Sequence, residues 1–75
     1  AEVTLTANVA STTITDIRVS PQSVLAWHPR TANAAAELAN GTMYVTDANM
    51  GNGTYTITHA NNAQTDRTFR VAIIG

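Results

Sequence analysis

The sequence predicts an all-β fold, a small antiparallel β-sandwich or compact barrel of about six strands with one short Ala-rich helical turn or loop. Three observations predict it. Thr occurs 13 times and clusters with Val, Ile and Tyr in short alternating runs, the composition of half-buried strands rather than helices. Gly, Asn and Pro punctuate those runs, as turns between strands require. Only one stretch, Thr31 to Ala39, is dominated by helix formers.

The first run, Glu2 to Thr6, alternates Val3 and Leu5 with polar residues, the period of a strand with one buried face. Residues 1–10 (AEVTLTANVA) read as an N-terminal arm or first strand, and residues 11–75 as a single β domain. As an arm, the first segment would suit addition to a neighbour's sheet. In the second run, Thr12 to Val19, the pleat puts Thr13, Thr15, Ile17 and Val19 on one, mostly apolar face. Ile14, Asp16 and Arg18 fall on the other, so the Asp16/Arg18 face is expected to be wet or partnered. Ser20-Pro21 favours a break after the second strand, as turn residues do.

Ser23 to His28 is the third strand. Thr31 is then a candidate N-cap and Gly41 stands near a C-cap position, so TANAAAELA reads as a two-turn helix or a flat Ala-rich loop. Thr42 to Thr46, Gly53 to His59 and Arg67 to Ile74 complete the strands. In the last of these Phe69, Val71 and Ile73 oppose Arg70, Ala72 and Ile74; both faces end apolar, which predicts cover on both sides at that end. Asn40-Gly41 and Asn52-Gly53 supply residues tolerant of positive φ. The polar stretches DANMGNG (47–53) and HANNAQTD (59–66) read as exposed loops.

The chain has 75 residues, of which 20 are large apolar ones, enough for one modest core and no second. Small domains gain further stability from disulfides, a metal or oligomerisation. The absence of cysteine removes disulfides, thiol catalysis and iron–sulfur chemistry, and it points to association with other chains. A net charge of −1, with four arginines and no lysine, argues against tracking nucleic-acid phosphates, which takes several clustered cations. No apolar run approaches the roughly 20 residues of a membrane span, and the N-terminus lacks a basic segment followed by an apolar one. Membrane is therefore not an expected partner. Starting at Ala1 fits a cytoplasmic product without its initiator Met, and a processed exported chain would look the same.

Chemical motifs are sparse. Asp47, Asn49 and Asn52 place oxygen donors close together, but the EF-hand pattern fails where Gly51, Asn52 and Thr58 occupy its fifth, sixth and twelfth positions. His28 and His59 have neither a cysteine nor a ligand-like spacing nearby; strand-end hydrogen bonding, and packing at a contact surface for His28, are their expected roles. Ser20, Ser23, the histidines and Asp66 supply residue types for a hydrolase without a nucleophile elbow or paired carboxylates. Trp27 and Tyr44 could form a sugar platform, but the single Trp reads first as a core or interface anchor. Asn40-Gly-Thr42 and Asn52-Gly-Thr54 match glycosylation acceptors and equally match turns followed by a strand. No catalytic, cofactor-binding or metal residue is assigned, no cofactor is expected, and the chain is read as a non-enzyme.

The segments TDIRVSPQSVLAWHP (15–29), TANAAAE (31–37) and TITHANNAQTDRTFRVAIIG (56–75) resemble small structural proteins and terminal domains of tailed bacteriophages, over roughly residues 12–75. The resemblance implies a virion structural component on the capsid surface, present in the host cytoplasm during assembly. It implies a capsid decoration (cement) protein stabilising the head through the major capsid protein and its own copies, as a trimer or other cluster. The alternative is a receptor-binding tip domain of a tail or head fibre, the only case in which carbohydrate or a host receptor would be a partner. A short chain with no coiled-coil or repetitive shaft favours the decoration protein.

Overall fold

The structure is a computed structural model that describes all residues, Ala1–Gly75. It contains five strands: β1 (Glu2–Thr4), β2 (Ser11–Thr15), β3 (Val24–Pro29), β4 (Thr54–Thr58) and β5 (Thr68–Ile74). One helix, α1 (Ala32–Ala39), follows β3, and a 3-10 turn spans Asp47–Asn49. The strands form two antiparallel sheets, one in the order β1-β5-β3 and the other β2-β4. The fold is thus mostly β, but it is not the six-stranded sandwich or barrel that composition suggests.

The missing strand is Thr42 to Thr46. Only Tyr44 pairs there, through one bridge to Thr58 in which each residue's N–H donates to the other's carbonyl, at 2.9 and 2.8 Å. Both ends of the segment are pulled out of register. Gly41 has φ +67° behind the helix cap, Thr42 reaches back to Glu37, and the Asp47–Asn49 turn begins immediately afterwards.

The second expected strand is shorter than its alternation implies, and its faces are reversed. β2 ends at Thr15 because Asp16 closes a turn on Arg18, accepting from its backbone N–H and from its guanidinium. Thr12 and Ile14 face inward while Thr13 and Thr15 are exposed. The odd positions pattern as apolar only when Ile17 and Val19 are counted, and both lie beyond the strand.

Register places the inward side chains of the larger sheet in line: Val3 opposite Phe69, Trp27 opposite Val71, Leu25 opposite Ile73. With Tyr55 and Ile57 of β4, they meet in one core whose buried members also include Leu5, Val19, Ala34 and Met43. Burying side chains of this size contributes roughly 1.5–3 kcal/mol each. The Trp27 ring lies 6.2 Å from both Tyr55 and Phe69, edge-on to the latter, within the favourable range for aromatic pairs.

The outer face of the same sheet is open. Val24, Ala26 and His28 of β3 and Arg70, Ala72 and Ile74 of β5 are exposed, so the end of β5 is covered on one side only, not both. Glu2–Thr4 belongs to this sheet, paired with Thr68–Arg70, rather than standing off as an arm.

An eight-residue helix is too short to persist alone, and α1 is held from three sides. Thr31 caps it by accepting from the Ala34 N–H at 3.1 Å. Ala34 packs into the core with Leu38 beside it, and the buried Glu37 on the same face ties it to the sheets.

Candidate functional site

The most concentrated chemistry lies out of reach of solvent. Four buried polar side chains, Glu37, Arg67, His59 and Thr12, converge where α1 meets the start of β5 and the end of β4. Arg67 Nη1 donates to Glu37 Oε1 at 2.9 Å and to the Ala60 carbonyl at 2.8 Å, while Nη2 donates to the Thr6 carbonyl at 3.1 Å. The other carboxylate oxygen, Oε2, accepts from the Ala60 N–H at 3.1 Å and from the Thr42 hydroxyl.

Burial alone would push the Glu37 carboxyl up, but the hydrogen bonds from Thr42, Ala60 and Arg67 outweigh it and hold the group below the usual carboxylate range. His59 completes the chain: Nδ1 lies 2.9 Å from the Ala60 carbonyl, and Nε2 lies 2.7 Å from Thr12 Oγ1. Thr12 Oγ1 in turn accepts from the Thr6 N–H at 2.9 Å. These roles agree if Nδ1–H donates to Ala60 and the threonine hydroxyl donates to Nε2. One polar atom is left over, the buried Arg67 Nε.

With Arg67 1 % and Glu37 and His59 each 4 % exposed, no substrate reaches this cluster. Its effect is structural. Five segments distant in sequence (residues 6, 12, 37–42, 59–60 and 67) are fastened at one point. His59 thus makes the strand-end hydrogen bonds its position suggests, whereas Glu37, Arg67 and Thr12 carry no local signal in the sequence.

The residues considered for chemistry are scattered. His28 is on the open outer face of β3, away from His59. Ser20 and Ser23 bond to each other at 3.2 Å, and Asp66 accepts from Asn33 on the exposed surface. No three His, Cys, Asp or Glu side chains cluster as metal ligands. Asp47 and Asn49 lie in the 3-10 turn, with Asn52 exposed beyond it. Trp27 faces Tyr55 and Phe69 rather than Tyr44, which is half exposed. Asn40 and Asn52 are both exposed.

Several large apolar side chains are accessible. β2 ends and β4 begins at one end of the molecule, where the 16–23 connection crosses to the start of β3 beside the end of β5. Asp16 N–H donates to Gly53, Gly53 N–H to Val19, and the Ser23 hydroxyl to Gly75, at 2.8–2.9 Å. Three of the five exposed large apolar residues, Ile17, Val24 and Ile74, are at this end. Beside it, a groove of about 130 Å³ opens between the inner face of β3 and the 45–50 segment, lined by Ser23, Leu25, Trp27, Val45, Asp47 and Met50. The 45–50 side of it carries no strand, only the 3-10 turn at Asp47–Asn49.

No helix is long and apolar enough to cross a membrane. Compared with protein-family models, curated proteins and solved structures, the chain matches none.

Proposed function

We propose that this chain is a virion structural protein of a tailed phage, a capsid decoration protein that stabilises the head by packing against the major capsid protein and against its own copies. The observation that carries the reading is the distribution of its side chains. The buried polar cluster is sealed inside as a fastening, while Ile17, Val24 and Ile74 are presented at one end with 93, 59 and 59 % exposure. A surface of this kind suits contact with protein rather than chemistry on a small molecule. The unpaired edge of β3 and the short edge strand β1 offer backbone groups for further pairing, and no lysine discourages it.

The sequence resemblance supports the same role. A small mostly-β body with its own core can sit on a lattice and bridge neighbours, its docking energy adding to the stability of both. The test is to strip the protein from heads, or delete its gene, and compare survival of heat and osmotic shock. Heads lacking it are expected to burst at lower temperature, with stability returning when purified protein is added back. Unchanged head stability removes the reading, and blocking of infection by the purified chain would move the assignment to a fibre tip.

A further inference from the structure

β3 ends the larger sheet, and strand alternation identifies the groups it leaves free. The Arg30 N–H donates to the Thr68 carbonyl at 2.9 Å. That bond turns the even-numbered residues of β3 toward β5, where Val24, Ala26 and His28 stand opposite Ile74, Ala72 and Arg70. In an antiparallel ladder the residues between them point their backbone the other way. The N–H and C=O groups of Leu25 and Trp27 therefore face outward, with no backbone partner in the chain. Pro29 closes the row, having no N–H to offer.

The side chains at this edge are unfinished too. Leu25 and Trp27 pack against the core but are only partly buried, whereas Val71, opposite Trp27, is 4 % exposed. The strand, VLAWHP, has no Asp, Glu, Lys or Arg, the charges that commonly guard a free edge. The other edges differ. β1 is three residues long and carries Glu2, paired with Arg30. In β2, Ala10 and Asp16 bond across to His59 and Gly53, so Ser11, Thr13 and Thr15 are the outward-facing residues. Their side chains are polar and exposed, and pairing there would bury little apolar surface.

A twofold axis through Ala26 satisfies the β3 edge with a second copy of itself. The two strands run antiparallel, with Leu25 opposite the second copy's Trp27 and Trp27 opposite its Leu25, and every free N–H of the two edges finds a carbonyl. Ala26 meets Ala26 at the narrow, non-hydrogen-bonded site, where Cα atoms come within about 4.5 Å. On the outer face Val24 lies beside the second copy's His28, so no like charges meet. On the inner face each Leu25 gains a Trp27 neighbour, an aliphatic and aromatic cross-strand pair.

We propose that two copies of this chain join their larger sheets edge to edge, β3 against β3, into one continuous sheet centred on Ala26. The inference rests on the docking role proposed above and names the surface through which copies meet.

The experiment is disulfide trapping in the full chain, which has no cysteine of its own, with sedimentation equilibrium alongside. Ala26→Cys puts two thiols across the axis within disulfide reach, and mild oxidation is expected to link copies over the concentrations at which the wild type dimerises. His28→Cys lies on the same face, but in this register its two copies stand about 14 Å apart along the strands, so it should not link to itself. Mixed with Val24→Cys it should, since those positions are directly opposite. Ala26→Lys sets like charges against one another and is expected to raise the dissociation constant about fivefold or more. Val24, Ala26 and His28 are all exposed, and retained circular dichroism separates lost pairing from lost folding. A wild type that stays monomeric to millimolar concentration, or Ala26→Cys linking no faster than His28→Cys, overturns the proposal. A monomer whose binding to heads is lost in Ala26→Lys gives the edge to a capsid strand and overturns self-pairing as well. Pairing with no effect on heads keeps the contact and removes the decoration role; a monomer that still protects heads removes the contact and keeps the role.

Discussion

Replacing Arg67 with Met removes the centre of the buried cluster and leaves its shape nearly filled. The guanidinium bonds to Glu37, Ala60 and Thr6 disappear, while the Glu37 carboxylate, 4 % exposed, stays buried with only Thr42 and the Ala60 N–H to solvate it. Removing one partner of a buried ion pair costs about 3–5 kcal/mol, because the survivor is an uncompensated charge. A domain of this size holds roughly 4–11 kcal/mol in total, at about 0.05–0.15 kcal/mol per residue. Arg67→Met is thus expected to lose a large share of its stability.

Urea unfolding followed by Trp27 emission measures this directly, since the ring packs against Tyr55 and Phe69. The midpoint should fall by more than about 1.5 M. Adding Glu37→Leu removes the stranded charge, so the double variant should be about 2 kcal/mol more stable than the sum of the single losses. Acid adds a second readout. The folded carboxyl lies below its ordinary value, so its stabilisation is present above the unfolded carboxylate range and is lost as pH falls through the depressed folded value. The double variant lacks this contribution. An Arg67→Met protein within about 1 kcal/mol of wild type, or strictly additive costs in the pair, would refute the fastening role.

Three further outcomes are expected. Thr31→Ala removes both the N-cap of α1 and the hydroxyl donated to the Asp66 carbonyl, costing about 1 kcal/mol or somewhat more in thermal or urea unfolding. Gly41→Ala costs about 1–2 kcal/mol because φ is +67°, although nothing lies within 4 Å of the added carbon; an unchanged melting curve would count against that backbone conformation. Asp16, whose carboxyl is held down to about 2 by the side-chain hydrogen bond from Arg18, should titrate there by NMR and return toward the ordinary aspartate range in Arg18→Leu.

Much of the fold is legible in short stretches of chain. β1, β3, β4 and β5 fall within a residue or two of the runs that alternation marks out, because a strand's period is a local property. The Thr31 cap and the positive φ of Gly41 and Gly53 are equally local. The errors arise where a side chain overrules the period. Asp16 clips Arg18 and ends β2 early, and Thr42 turns back to Glu37 instead of joining a ladder.

The candidate sites divide along the same line. Glu37 lies in the Ala-rich stretch and Arg67 at the start of the last strand run with nothing local linking them, yet they meet across 30 positions of sequence. Likewise Ile17 reads as one more inward residue of an alternating strand, and it is the most exposed large apolar side chain of the molecule. The β character, the turn positions and the helix cap are readable along the chain, since each depends on neighbours a few residues apart. Which polar groups are sealed in and which apolar ones are left out follows only once distant segments come together. Those outcomes depend on how separate segments stack, and burial is a property of the assembled fold rather than of any window along the chain.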